Sequence, residues 1–202
     1  NGPSREKLVA TAVLDSAPMR EIDIGDYDVE LIERPDGTVY VDSRVPLAPA
    51  PARLSECLEY WSKKTPERIF LAERDAGGGW TSLTYGETLP IVRRVAAGLL
   101  SMNVSAERPV AILSGNGIDH AVLGLAAYFA GIPYSPISPG YSTIPGGLSK
   151  LAPILELLTP GLVFARDGGI FTETIRGLIP ADAALVASEN PPADTRAMLF
   201  SD

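Results

Sequence analysis

From residue 84 onward, apolar positions recur at helical spacing, and each such stretch is followed by a short unbroken apolar run. Thr84-Tyr85-Gly86-Glu87 has the form of a capping box, with Leu89, Val92, Ala96, Leu99 and Leu100 as the buried face behind it. Pro90 lies inside that helix and predicts a kink. Residues 109–113 read as a strand and Ser114-Gly115-Asn116-Gly117 as a turn. Ile118, Ala121, Val122, Leu125, Ala126 and Phe129 then make one side of the next helix. Residues 131–137 form a short strand, followed by a Gly/Pro/Ser loop to about Ser149. The following helix carries Leu151, Ile154, Leu155 and Leu158, with Pro153 in its first turn, where a missing N–H has no helical partner to lose. Residues 162–165 are a strand, 171–178 a short helix, 184–187 a strand, and Ala197-Met198-Leu199-Phe200 opens another. Short apolar strands alternating with helices imply an α/β domain, a largely parallel sheet covered by helices on both faces.

The first 83 residues are patterned differently. Residues 1–26 are weakly patterned and read as a partly ordered arm. Two alternating runs, 29–34 and 38–41, flank Pro35-Asp36-Gly37, an N-terminal β-hairpin with a turn suited to positive φ. Pro46, Pro49 and Pro51 make a linker that can feed neither a helix nor a central strand. Leu54, Cys57, Leu58 and Trp61 stripe a helix over 53–65 that stops at Pro66 and places Cys57 on the buried side. A second hairpin joins Ile69-Phe70-Leu71-Ala72 to Trp80-Thr81-Ser82-Leu83 through Gly77-Gly78-Gly79. The expected organisation is an arm with hairpin and Pro-rich linker over 1–52, then an α/β subdomain over 53–202.

Composition narrows the function classes. The 202 residues are 46% hydrophobic and 21% charged, which excludes general disorder, and no apolar run reaches the roughly 18 residues of a membrane helix. A net charge of −8 opposes a nucleic-acid surface. One cysteine and one histidine make neither an internal disulfide nor a zinc site of the usual type, and they fit a reducing cytoplasm. The start lacks methionine and a signal-peptide core, and the last apolar run opens a strand, so the chain reads as a piece cut from a longer polypeptide.

Few residues suggest chemistry. Asp119 and His120 are adjacent, but neighbours on a helix point about 100° apart and cannot share a proton directly, so a cap or a solvent-facing role competes with catalysis. Ser114-Gly115-Asn116-Gly117 follows a strand and opens a helix, where backbone N–H groups meet anions, yet it has neither dinucleotide nor nucleotide-loop glycine spacing. The triple glycine joins two strands and has no lysine, which favours a turn over a phosphate cradle. Cys57 has no histidine near it in sequence to activate a thiol.

Four blocks in order carry a resemblance. These are Leu83-Thr84-Tyr85-Gly86-Glu87, Val95-Ala96-Ala97-Gly98-Leu99-Leu100, Arg108-Pro109-Val110-Ala111-Ile112-Leu113 with Asn116, and Ala130-Gly131-Ile132-Pro133-Tyr134-Ser135-Pro136-Ile137-Ser138-Pro139. They resemble the opening of adenylate-forming enzymes: acyl- and aryl-CoA synthetases, luciferases and the adenylation domains of peptide synthetases. Phe70-Leu71-Ala72-Glu73-Arg74-Asp75, the run from Ala111 to His120, Pro139-Gly140-Tyr141-Ser142 and the run from Leu158 to Ala165 are most similar to the bacterial feruloyl-CoA synthase branch. Thr88 and Pro90 depart from the family pattern.

The resemblance implies an acid–thiol ligase. A carboxylate attacks the α-phosphate of ATP to give an acyl-adenylate and pyrophosphate, and CoA then displaces AMP, with Mg²⁺ offsetting phosphate charge. The family's phosphate loop and catalytic lysine have no counterpart in these 202 residues, so no catalytic or metal residue and no cofactor of its own is expected here. ATP, Mg²⁺ and CoA belong to the full-length enzyme, whose partners would be the remainder of the chain, an aryl acid and CoA. In some relatives the loop after the last block approaches CoA, which singles out Gly140 and Tyr141; a structural turn with Tyr141 packed on the sheet is the alternative. By itself the fragment is expected to be inactive and to self-associate. Another aryl- or acyl-CoA synthetase and a free-standing, non-catalytic α/β binding domain stay open as readings.

Overall fold

The computed structural model describes residues 28–194 and 196–201, and the chain divides into two compact units between Ala50 and Pro51. In the first unit, β1 (Val29–Glu33) and β2 (Val39–Ser43) pair antiparallel with Leu31 opposite Val41. The turn is built as its sequence demands. Gly37 takes φ +84°, and the Asp36 carboxylate accepts from the Thr38 N–H at 2.9 Å. That bond holds the Asp36 carboxyl below its ordinary value. Within this unit the apolar Val29, Leu31, Val39 and Val41 share one face of the hairpin and are exposed.

The second unit begins with α1 (Ser55–Lys64), β3 (Ile69–Arg74), β4 (Trp80–Thr84) and α2 (Tyr85–Leu100). It continues through β5 (Val110–Ile112), α3 (Ile118–Ala130), β6 (Tyr134–Pro136), α4 (Gly140–Thr143) and α5 (Leu148–Leu158). The last elements are β7 (Leu162–Asp167), α6 (Glu173–Leu178), β8 (Ala184–Glu189) and β9 (Ala197–Leu199). Five strands form one parallel sheet in the order β6-β5-β7-β8-β9, while β3 and β4 make a separate antiparallel pair.

Strand alternation divides the core in two. Val110, Ile112, Leu162, Phe164 and Val186 face a cluster with α2 and α3, whereas Ala111, Val163, Ala165, Leu185 and Ala187 face a cluster with α5 and α6. This is the doubly covered parallel sheet that the apolar strand runs predict. The capping box forms as read: the Glu87 N–H donates to Thr84 Oγ1 at 3.2 Å and the Thr84 N–H to Glu87 Oε2 at 2.8 Å. The Thr84 N–H, with the Thr84 hydroxyl beside it, keeps the Glu87 carboxyl below its usual range.

Several expectations are corrected. Cys57 is exposed and Leu54 is 63% exposed, because α1 starts at Ser55 and buries Ser55 and Leu58, a line one position away from the cysteine. Leu100 is 68% exposed, because the buried line of α2 runs through Leu89, Val92, Ala96 and Leu99 and turns Leu100 outward. α3 also buries Leu123, Gly124 and Ala127, since it packs against α2 and shares the core cluster with the sheet residues Val110, Ile112 and Phe164. The loop before Ser149 holds α4, and α5 begins at Leu148, so Pro153 sits in its second turn and not its first. α6 starts at Glu173, with the Thr172 hydroxyl accepting from the Ile175 N–H. Residues 1–26 lie outside the described residues.

Candidate functional site

The chain leaves β5 to form β6 on one side and returns to form β7 on the other. The carboxyl ends of β5 and β7 therefore part at a topological switch point, the place where open α/β sheets receive ligands. Ser114-Gly115-Asn116-Gly117 leaves β5 here and Gly117 opens α3 in extended conformation, with no side-chain cap of its own. The cap comes from β3. Glu73 Oε2 accepts from the Ile118 N–H at 2.9 Å, across 45 residues of sequence.

Arg166, near the end of β7, grips the same carboxylate with two bonds, Nη1 to Oε2 at 3.1 Å and Nη2 to Oε1 at 3.0 Å. Its Nε lies 3.7 Å from Glu189. Burial pushes the Glu73 carboxyl up, but the Arg166 bonds and the Ile118 N–H outweigh it and leave Glu73 below its ordinary value. Arg166 is correspondingly raised, chiefly by Glu73.

Asp119 and His120 go separate ways. Asp119 Oδ2 accepts from the Ser188 hydroxyl, and His120 Nδ1 lies 3.1 Å from the Gly115 carbonyl, which fits a proton on that nitrogen. The structure does not bring the two side chains together as an acid–base pair.

Both backbone anion positions that the sequence offers are closed by the chain's own carboxylates. Glu73 holds the start of α3, and Asp75 Oδ1 accepts from the Gly77 and Gly79 N–H groups at 2.8 and 2.9 Å. The triple glycine is a turn, with Gly78 at φ +82°. Among the described residues no group of three or more His, Cys, Asp or Glu side chains could hold a metal ion. Filled by carboxylates, these positions do not fit ATP phosphates.

Gly140 and Tyr141 open α4, just beyond the carboxyl end of β6. Tyr141 is half-buried against the cluster that contains Ile137, Leu151 and Leu155, and Lys150 Nζ stands 5.8 Å from its ring centroid. A Cβ at Gly140 would meet only ordinary contacts, 3.5 Å from Ser138 Oγ and 3.8 Å from Ile144 Cδ1, so a methyl would fit there. The neighbouring Ser142 hydroxyl is buried without a hydrogen-bond partner. Glu73 and Arg166 had no local sequence signal as a pair, being 93 residues apart.

The match to known proteins covers this whole edge. The model of the AMP-binding enzyme family matches residues 58–196. The chain belongs to that family. Over 137 residues it is 32% identical to a plipastatin synthase of Bacillus subtilis, covering 66% of this chain and 5% of that protein. Over 109 residues it is 30% identical to tyrocidine synthase 2 of Brevibacillus parabrevis, covering 54% of this chain and 3% of that protein. The chain thus spans a small part of these curated relatives. In structure it is similar to acetoacetyl-CoA synthetase from Streptomyces lividans, with a TM-score of 0.58 and 20% identity over 74% of this chain and 24% of that one. That likeness supports the fold: the α/β arrangement is that of the N-terminal part of adenylate-forming enzymes. No described helix is long and apolar enough to cross a membrane.

Proposed function

We propose that this chain is the N-terminal scaffold of an ATP-dependent acid–thiol ligase that converts ferulate or a related hydroxycinnamate to its CoA thioester through an acyl-adenylate. The supporting observation is the AMP-binding family match over 58–196, within which the blocks resembling feruloyl-CoA synthases fall. In this reading the 202 residues hold one lobe of the enzyme and perform none of its chemistry. ATP and Mg²⁺ are bound by residues outside it, in the cytoplasm, and the isolated lobe self-associates through apolar surface.

Ferulate-dependent exchange of pyrophosphate into ATP tests the reading on the natural open reading frame that contains this chain. Exchange and CoA-thioester formation with ferulate or coumarate are expected. Exchange driven by fatty acids or amino acids alone would overturn the substrate assignment in favour of another member of the family. The 202-residue chain is expected to give no exchange above a blank.

Gly140 and Tyr141 are the residues proposed to face CoA, through backbone atoms and the Tyr141 ring. The Lys150 ammonium near the Tyr141 ring is compatible with an anionic nucleotide there. In the ligase, Tyr141→Ala should raise the KM for CoA and leave adenylate formation unchanged. A parallel fall in both half-reactions would make the loop scaffold only.

A further inference from the structure

The β3–β4 hairpin lies over the switch point without belonging to the sheet below it. Its two strands bond only to each other as a ladder, and among the described residues neither pairs with any of the five sheet strands. The outward residues Ile69 and Trp80 are 60% and 62% exposed. Inward, Phe70, Leu71 and Leu83 are only partly buried against the first core cluster. The tip satisfies itself, with Asp75 holding Gly77 and Gly79 and Arg74 bonding the Gly78 carbonyl at 2.7 Å.

Polar attachment of the strands to the sheet layer is concentrated in one side chain. Of the side-chain hydrogen bonds described for residues 69–83, those that leave the hairpin are all made by Glu73, to the Ile118 N–H and to Arg166. The two partners come from different elements, the first residue of α3 and the end of β7, which flank the crevice bounded by Leu71, Ala72, Asn116, Gly117 and Ile118. Gly117 is shaped to this contact. A Cβ there would stand 2.9 Å from Glu73 Oε2 and 3.1 Å from Arg166 Nη1.

We infer that the β3–β4 hairpin is a strap that opens from the switch-point crevice as one cooperative unit, with Glu73 as its latch on Ile118 and Arg166. A segment whose apolar side chains are only partly buried, with no shared ladder and, apart from the Thr84 capping box where β4 runs into α2, one polar tie, opens at lower free energy than the sheet, in the manner of sub-global unfolding units. Opening uncovers the partly buried start of α3 and frees the Arg166 guanidinium. The inference concerns the chain's own motion and stands or falls independently of the substrate proposed above.

Amide hydrogen exchange on the 202-residue chain tests it. In the unaltered protein, the ladder amides of β3 and β4 and the Ile118 amide should share one protection factor, below that of β7 and β8. Equal protection in hairpin and sheet would overturn the inference, and this arm needs no variant to fold. Glu73→Gln keeps the shape and removes the charge. It should speed exchange of the hairpin and Ile118 about tenfold while β7 and β8 stay within twofold, as expected for losing charge-assisted hydrogen bonds. Gly117→Ala should act in the same direction by crowding the latch with the charge retained. No change in either variant, or a uniform rise across hairpin and sheet, would show Glu73 to be an ordinary surface partner.

Discussion

The two ends of the parallel sheet each carry an arginine that grips a carboxylate with two bonds, yet they are built in opposite senses. At the amino end Arg108 bonds Asp182 at 2.6 and 2.9 Å and also donates to the Pro160 carbonyl, while Asn103 shares the same Asp182. There the guanidinium is the more enclosed partner, 27% exposed against 58% for Asp182. At the carboxyl end the carboxylate is enclosed, 21% for Glu73 against 48% for Arg166. The amino end also has backbone against backbone, with Gly161 pressed on Asn103; at the carboxyl end Gly168 presses on the Asn190 backbone beyond β7 and β8, but the switch point beside β5 is closed by one flexible side chain over a turn. The difference separates a fixed floor from a movable roof.

The largest expected effect is at the floor. A Cβ at Gly161 would stand 1.9 Å from the Asn103 carbonyl oxygen, so Gly161→Ala should cost about 3 kcal/mol, read from the urea unfolding midpoint, because overpacking against backbone forces the strand itself to move. A loss below about 0.5 kcal/mol, the scale of an ordinary surface substitution, would show the floor to be as yielding as the roof.

Gly117→Ala at the roof should cost only about 1 kcal/mol, since the atoms it meets are the far ends of Glu73 and Arg166 and can swing away. If it matched Gly161→Ala, the distinction between backbone and side-chain closure would fail.

The smallest effect is an order of events in acid. Both carboxyls are depressed in the folded chain: Asp182 by its Arg108 bonds, and Glu73 by the Arg166 and Ile118 bonds that exceed the opposing effect of burial. A depressed carboxyl contributes stability in full above its ordinary value and loses it as pH falls through the folded value. The loss sets in as pH falls below the ordinary value, 4.5 for Glu73 and 3.8 for Asp182, so acid should begin to loosen the roof before the floor. Carboxyl-carbon NMR titration with residue-resolved exchange checks the order, and simultaneous loosening of both ends would contradict it.

What was legible in the sequence was local or periodic. The capping box at Thr84 and Glu87 needs partners three residues apart, and the Asp36-Gly37 turn needs only its own φ and carboxylate. The strands were visible because burial on both faces leaves no polar position in Val110-Ala111-Ile112 or Leu162-Val163-Phe164-Ala165. Which residues meet at the switch point was not visible. The spacing of Cys57 with Leu58 and Trp61 fits a buried stripe, but the line by which α1 rests on the body decided that Cys57 faces out.

By itself, then, the sequence determined the element types apart from α4, the doubly covered parallel sheet and the family, because periodicity, turn chemistry and motif order act over a few residues at a time. The tertiary structure alone decided that the start of α3 is capped by Glu73, that Arg166 holds the same carboxylate from 93 residues away, and that the two anion-binding turns are filled from within. A lone glutamate in a strand and a lone arginine ending another carry no sign of each other until strand order sets them about 3 Å apart, where charge and hydrogen bonding first become strong.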